Sequence, residues 1–374
     1  MELKEIIRNN MEDIIKLREK LSENAELSFQ EFKTSKIVKD YLDKLGIETQ
    51  TVFNTGVVGV LNSGDSCIAI RADMDALPVN GVSHACGHDY HMAVALGSAL
   101  VLKEIGFKKC VKFIFQPAEE DTGGAAPMIK EGVLKSPDVA YIIGFHIWPN
   151  VEVGKIEVTS GPSMGSVDDF YIIFNGKGGH AAMPHLCKNP IYPSIDFIQS
   201  MNTKIHTENN PLNSCVLTFS SMNVGNAPNV IADCANLSGT FRTFDNELRT
   251  KIKEDIKSLS SLCAKKYNCE VDVRIKDGYP PVVSDKVLTD KFISASKSIL
   301  GEENVLGLEK TFAAEDFAFF AEEIPSVHFR LGIYDGCRGK SPLHATDFDA
   351  SDEALYYGIY TTVNFILSME NELT

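Results

Sequence analysis

No stretch of this chain approaches the ~20 consecutive apolar residues that a membrane-crossing helix needs. Basic residues are in short supply: Lys and Arg number 36 against 51 Asp and Glu, a formal net charge of −15 with a pI near 5.1. Nucleic acids and anionic bilayers would repel such a surface, so neither is an expected partner. The first twenty residues are charged throughout and hold no uninterrupted apolar run, so no secretory signal is read there. A disulfide framework is missing too. The nine cysteines (Cys67, Cys86, Cys110, Cys187, Cys215, Cys234, Cys263, Cys269, Cys337) are odd in number and scattered, which fits reduced thiols in a cytoplasm. Eight of them read as small buried hydrophobes; Cys86 stands apart because of its neighbours. There are no internal repeats and no low-complexity segment, and 374 residues exceed one ordinary core, which predicts two domains.

What is present is concentrated. His84-Ala85-Cys86-Gly87-His88-Asp89-Tyr90-His91 is followed about thirty residues later by Gln116-Pro117-Ala118-Glu119-Glu120. A thiolate, imidazoles and paired carboxylates this close together are what a hydrolytic divalent-metal site requires. Two more histidines stand in strand-end contexts, His146 before Trp148-Pro149 and His344 in Ser341-Pro342-Leu343-His344-Ala345.

The periodicity predicts helices over roughly 2–45, with Gly46 as a stop, then short strands at Val57–Leu61, Ser66–Arg71, Val111–Gln116 and Val139–His146, with helices at His91–Gly106 and Gly124–Glu131 between them. Strands alternating with helices indicate an α/β sheet with parallel portions. Near Ser166 the pattern changes. Asp168–Asn175, Cys215–Val224, Ala232–Asp245 and Glu270–Gly278 read as strands, with helices at Asn189–Thr207 and Leu248–Tyr267, a β-α-β-β-α-β unit. Since His344 lies beyond that unit and the other candidate ligands before it, the expected organisation is a discontinuous metal-binding catalytic domain (1–165 plus 279–374) carrying an inserted 166–278 domain.

Cys86 and His88 could grip one metal or straddle two, because sulfur bridges readily; a lone Cys-x-His would instead be read as a helix-start turn with a buried cysteine. His84 and His91 are expected to be structural or to support the ligands, since clusters of this size seldom use every member. Glu119 and Glu120 point in opposite directions on extended backbone, so one can bind metal while the other acts as a general base; without the upstream cluster the pair would pass for a solvated acidic loop. His146 and His344 would each pass for a satisfied core histidine if met alone. Asp73 and Asp75 are expected to orient a ligand imidazole, with loop capping as the alternative. Cys86 is expected to be an exposed, low-pKa thiolate in the metal-free protein, open to oxidation and alkylation.

These residues resemble the M20 metallopeptidase superfamily, in particular its amidohydrolase branch of N-acyl-amino-acid amidohydrolases, hippurate hydrolases and N-acetyldiaminopimelate deacetylases. The resemblance runs nearly end to end, through Arg71-Ala72-Asp73-Met74-Asp75, Ala85-Cys86-Gly87-His88-Asp89, Gln116–Glu120, Gly176–Ala182, Pro228-Asn229-Val230-Ile231, Gly239–Thr243 and Glu315-Asp316-Phe317. It implies a two-domain zinc-peptidase-like α/β fold, with a mixed-sheet catalytic domain and an inserted ferredoxin-like α+β lid and dimerisation domain. It further implies two divalent metal ions per subunit held by Cys86, His88, Glu120, His146 and His344. Zinc or manganese is expected, and cobalt or nickel also serves in this branch. Glu119 is implied as general base, with Asp75 supporting the ligands. His180 is implied to stabilise the oxyanion across a homodimer, and Asn229 and Arg242 to contact the substrate. The implied activity is cleavage of small N-acyl-L-amino acids. N-acetyldiaminopimelate deacetylation is the alternative, and a non-catalytic metal-containing binding protein is the alternative of another class. Two departures stand out: the 79–83 segment is shorter than in many relatives, and Asp73 stands where the peptidase branches place a histidine.

Overall fold

The computed structural model describes residues 2–372, and the chain divides into two compact units. One comprises the chain up to Ser163 together with Val282–Glu309 and everything from Glu315 on; the other comprises Met164–Pro281 and Lys310–Ala314.

The first unit opens with helices α1 (Leu3–Glu23) and α2 (Phe32–Lys44), each burying one apolar stripe: Ile6, Ile7, Ile14, Leu17 and Leu21 on α1, Ile37, Val38 and Leu42 on α2. Strands β1 (Glu48–Val52), β2 (Gly56–Leu61) and β3 (Ser66–Asp73) follow, then helix α3 (His88–Glu104), β4 (Val111–Gln116), α4 (Ala125–Lys130), β5 (Asp138–Glu152), β6 (Ile156–Val158) and β7 (Gly161–Met164). The strand β1, which the periodicity does not suggest, is an exposed polar edge (Glu-Thr-Gln-Thr-Val) with little apolar alternation to read. Helix α3 starts at His88, three residues before the expected position. It is buried on nearly every side, so amphipathic periodicity could not mark its first turn.

The second unit is built from β8 (Asp168–Asn175), β9 (Gly179–His180), α5 (Ile191–Glu208), β10 (Cys215–Val224), β11 (Val230–Ile231), β12 (Cys234–Thr243), α6 (Asn246–Lys266) and β13 (Glu270–Asp277). Its antiparallel sheet has the order β10-β12-β8-β13. Strict alternation on β8 turns Phe170, Ile172 and Phe174 inward against Phe197 and Met201 of α5 and Ile252 and Ile256 of α6. Each such side chain contributes about 1.5–3 kcal/mol when fully buried. Asp168 is buried and receives both Nε and Nη2 of Arg249, at 2.6 and 2.8 Å.

The chain then returns through β14 (Val282–Ser284), α7 (Lys286–Leu300), β15 (Val305–Gly307), α8 (Ala318–Glu323), β16 (Ser326–Tyr334) and α9 (Glu353–Ser368). The first unit's sheet has eight strands in the order β1-β2-β4-β3-β5-β16-β6-β15. β3 runs parallel to both β4 and β5, and β16 runs parallel to β5, while β1/β2, β2/β4 and β6/β16 are antiparallel. The sheet is therefore mixed, as expected. β16, from the end of the chain, sits in its middle. The carboxyl ends of β3 and β4 and the latter half of β5 lie along one edge, where ligands bind in sheets of this kind. Among the described residues no helix is long and apolar enough to cross a membrane, and all nine cysteines are free thiols.

Candidate metal centre

The edge carrying the carboxyl ends of β3 and β4 is assembled from tight turns. Gly87, the residue before α3, has φ +84°, and a Cβ there would overlap Ile147 Cδ1. Glycine is required on both counts, and the turn it allows places Cys86 and His88 on either side of one point. Beyond β4 the chain bends through Ala118 at φ +58°, an uncommon conformation for a residue with a side chain. Two buried carboxylates hold that bend. Glu31 accepts from the N–H groups of Phe29 and Ala118 (3.0 and 2.9 Å) and from Thr55 Oγ1 (2.6 Å). Asp75 accepts from the N–H groups of Glu119 and Glu120 (3.0 and 2.9 Å) and from Ser28 Oγ (2.7 Å).

Three imidazoles turn their Nε2 atoms toward the Cys86 sulfur or the Glu120 carboxylate. His88 Nδ1–H donates to the carbonyl of Asp75 (2.9 Å) and His146 Nδ1–H to that of Ile147 (2.7 Å). Carbonyls only accept, so these bonds fix the tautomer with the Nε2 lone pair directed into the site. Cys86 Sγ lies 3.4 Å from His146 Nε2 and 3.2 Å from His344 Nε2, and Glu120 Oε1 lies 3.2 Å from His344 Nε2 and 3.9 Å from His88 Nε2. Two trios whose donor atoms all fall within 4.8 Å of one another share the sulfur: Cys86, His88 and His146, and Cys86, Glu120 and His344. His88 Nε2 and Glu120 Oε1 are buried without a hydrogen-bond partner. A soft sulfur, imidazoles, a carboxylate and two orphaned inward-facing donor atoms fit a pair of divalent cations.

The charge around these atoms says the same. Asp73, Asp75, Glu119, Glu315 and Asp316 are buried, and Glu120 is nearly so, against the guanidinium of Arg71. Arg71 Nη1 bonds Asp73 (2.6 Å), while its Nη2 reaches Asp316 (2.7 Å) and Glu315 (2.9 Å). Burial, then Glu315 and Glu120, push the Glu119 carboxyl well above the usual carboxylate range. Burial pushes Glu315 up to about 8 despite Arg71. Burial would lower His88, but Asp73, Asp75 and Glu120 outweigh it and raise the imidazole to about 10. Without cations, a cluster so rich in acid retains protons on its ligands; bound cations take over that charge compensation.

The other expected residues fall as follows. His91 gives Nδ1–H to Asp73 (2.6 Å) and accepts Ile147 N–H on Nε2 (3.0 Å), so both its nitrogens are engaged and it supports the site. His84 is buried, with neither nitrogen hydrogen-bonded. Asp75 meets both the imidazole and the loop: its Oδ1 lies 3.4 Å from His88 Nδ1, beside the Asp75 carbonyl to which that nitrogen donates, and the same carboxylate caps the Glu119–Glu120 backbone. Cys86 is corrected outright. It is 5 % exposed, and burial together with Glu120 and Glu119 raises its thiol well above the ordinary value. His180, Asn229 and Arg242 all lie in the second unit. His180 is exposed on β9, its Nδ1 accepts from Ala182 N–H (3.1 Å), and its Nε2 is therefore the donor of the neutral ring. The carbonyl of Asn229 accepts from Ala181 N–H (3.1 Å), and Arg242 Nη1 is held by the carbonyl of Phe312 (2.6 Å).

The model of peptidase family M20/M25/M40 matches residues 69–368. The chain belongs to this family. It is 34% identical to a protein named thermostable carboxypeptidase 2 from Saccharolobus solfataricus, over the whole length of both. It is 33% identical to an N-acetyl-L-cysteine deacetylase of Bacillus subtilis, covering 96% of this chain and 89% of that one. Among solved structures it superposes with a TM-score of 0.82 on the Bacillus subtilis YXEP protein, described as a dinuclear metal-binding peptidase of the M20 family, at 31% identity over 96% of this chain and 99% of that one. The M20 chain described here is a metal-dependent hydrolase of amide bonds.

Proposed function

We propose that this M20 hydrolase cleaves the amide bond of N-acyl-L-amino acids, releasing a carboxylic acid and a free amino acid. The observation that carries the reading is the pair of donor trios sharing Cys86, with Glu119 buried beside them but outside both. Cys86, His88 and His146 would hold one divalent cation and Cys86, Glu120 and His344 the other. When bound, the cations would supply Lewis acidity that polarises the scissile carbonyl and acidifies water.

The chain's own groups do the rest. Glu119 takes the proton of the attacking water and returns it to the leaving amine nitrogen. Burial beside Glu315 and Glu120 raises its proton affinity, the direction a proton acceptor requires. His180, with Nε2–H as the donor, would stabilise the oxyanion from a second copy of the chain. Asn229 and Arg242 would bind the substrate carbonyl and carboxylate, for which a guanidinium is matched bidentately. Self-association through the 166–278 segment is supported by the apolar side chains of Met183, Leu186 and Val230, which stand exposed near His180. Relatives named for deacetylation of N-acetyl-cysteine and for carboxypeptidase activity share a substrate feature, an amide whose leaving amine is an amino acid.

The test is amine release from N-acetyl-methionine, N-acetyl-cysteine, hippurate and N-acetyl-diaminopimelate by metal-loaded protein. Glu119→Gln should lower kcat by about 10²–10⁴ with cations still bound. Mixing Glu119→Gln with His180→Ala subunits should restore part of the activity, because one site of the mixed dimer is intact. Turnover on no substrate, with two cations bound, would favour a binding protein.

A further inference from the structure

The side chains proposed to hold cations are not held alike. Cys86, His88 and His146 are buried, and the Glu120 side chain is 12 % exposed, whereas that of His344 is 51 % exposed. His344 also lacks regular structure around it. It lies in the stretch between β16 and α9 at φ +67°, a conformation uncommon for a residue with a side chain. Two hydrogen bonds fasten this stretch to the segment leading into α3. The N–H of His344 donates to the carbonyl of Ala85 (2.8 Å), and Asn80 Nδ2 donates to the carbonyl of Thr346 (2.7 Å).

Asn80 is delivered by the shortened 79–83 segment. Leu77 and Ser83 exchange N–H···O bonds of 3.0 Å in both directions, closing a small hairpin with Asn80 (φ +51°) and Gly81 (φ +96°) at its tip. Positive φ at two successive tip residues is the demand of a type I′ turn, and Asn-Gly is the pair that meets it most easily. The tip has no apolar burial to justify its place, since Asn80 and Gly81 are both exposed. What it offers the rest of the unit is the amide of Asn80, on the backbone two residues beyond His344.

We infer that Asn80 is a positioning residue for His344, and that its tether sets the affinity of the Cys86–Glu120–His344 position for its cation while leaving the Cys86–His88–His146 position unchanged. The inference rests on the centre proposed above. A ligand that must be ordered when the cation arrives binds it less tightly than one already in place. The two positions therefore differ in kind: one is built from buried groups on a helix, a turn and a strand, while the other depends on a half-exposed ligand whose immediate backbone is tied to the segment leading into α3 by two hydrogen bonds. A net hydrogen bond in a partly solvated setting corresponds to about threefold to tenfold in a dissociation constant.

The experiment uses the full chain and zinc or manganese alone. Cations are counted by elemental analysis and their affinities measured by competition with a chromophoric chelator, in the wild type and in Asn80→Gly, Asn80→Asp and His344→Ala. Glycine keeps the left-handed turn and removes the amide; aspartate keeps the turn but sets an acceptor against the Thr346 carbonyl. Wild type should bind two cations and His344→Ala one. Asn80→Gly should bind two, the weaker about threefold to tenfold more weakly and the tighter as in wild type, with Asn80→Asp at least as impaired. Raising the free cation should return kcat of both Asn80 variants to the wild-type value. Unchanged constants in both Asn80 variants, or equal weakening of both positions, would overturn the tether while leaving the centre standing. Fewer than two cations on wild type, or two retained by His344→Ala, would overturn the centre and the tether with it.

Discussion

Replacing Asp75 by asparagine isolates what organises the catalytic loop, because the side chain keeps its shape and loses only charge and one acceptor. In the native protein Oδ1 receives Glu119 N–H, and Oδ2 receives Glu120 N–H and the Ser28 hydroxyl. An asparagine can offer its oxygen to one of those backbone donors; the other then faces an NH2 group, whichever way the amide is flipped. A buried donor left without an acceptor costs about 1–3 kcal/mol, and loss of charge assistance on the surviving bonds adds about 1–2 kcal/mol. The total of about 2–5 kcal/mol falls on the backbone that carries Glu119 and Glu120, so the loop should relax away from its strained Ala118 conformation. Supporting groups of this kind are worth about 10–100-fold in metal affinity or activity. The expected outcome is therefore a 10–100-fold loss in affinity for at least one cation and a comparable loss in kcat/KM at saturating cation. Chelator competition and steady-state kinetics on the same preparations read both. The His88 tautomer should survive, since its Nδ1–H is held by a backbone carbonyl that the substitution leaves in place. Cation affinity within threefold of wild type together with an unchanged kcat/KM would refute the assignment of the loop to Asp75.

Two further outcomes are expected. Gly87→Ala forces a side chain into the left-handed region (about 1–2 kcal/mol) and against Ile147 Cδ1 (about 1–3 kcal/mol). At about 2–4 °C per kcal/mol for a unit of this size, thermal unfolding of the metal-free protein should begin about 4–20 °C lower, and an unchanged transition would contradict the packing described. In the metal-free protein His88 is raised to about 10 and Cys86 above its ordinary value, so both carry protons at pH 7 that cation binding must displace. Apparent affinity should therefore rise with pH across the neutral range, with net proton release on loading at pH 7. A dye in weakly buffered solution would show this release, and its absence would mean that neither group is a ligand.

Much of this was legible along the chain because it is local. Cys86 and His88 share one glycine turn, Glu119 and Glu120 follow closely on an apolar strand, and the strands β4, β8 and β10 appear at the residues the sequence predicts. What stayed hidden acts across long separations. Glu31 sits in an unremarkable loop, and nothing near it announces that Ala118 depends on it. Arg71 and Asp316 meet from 245 residues apart, and a charged pair inside an apolar sheet cannot be inferred from either neighbourhood. The exposed Cys86 expected from its motif was wrong for a related reason: reactivity depends on burial, and burial is set by the sheet and helix that close over the turn.

The place of β16 carries a consequence for synthesis. β5 is ready to pair on one side with β3 as soon as it leaves the ribosome, but its other neighbour, β16, is translated only after the entire inserted segment. During that interval β5 presents an open apolar edge, while β8, β10, β12 and β13 emerge in succession and can already complete their own sheet. Edges of that sort invite pairing with other chains. The long middle of this protein is thus made while its catalytic sheet is half closed, and the yield of active enzyme should depend on how quickly the last hundred residues arrive.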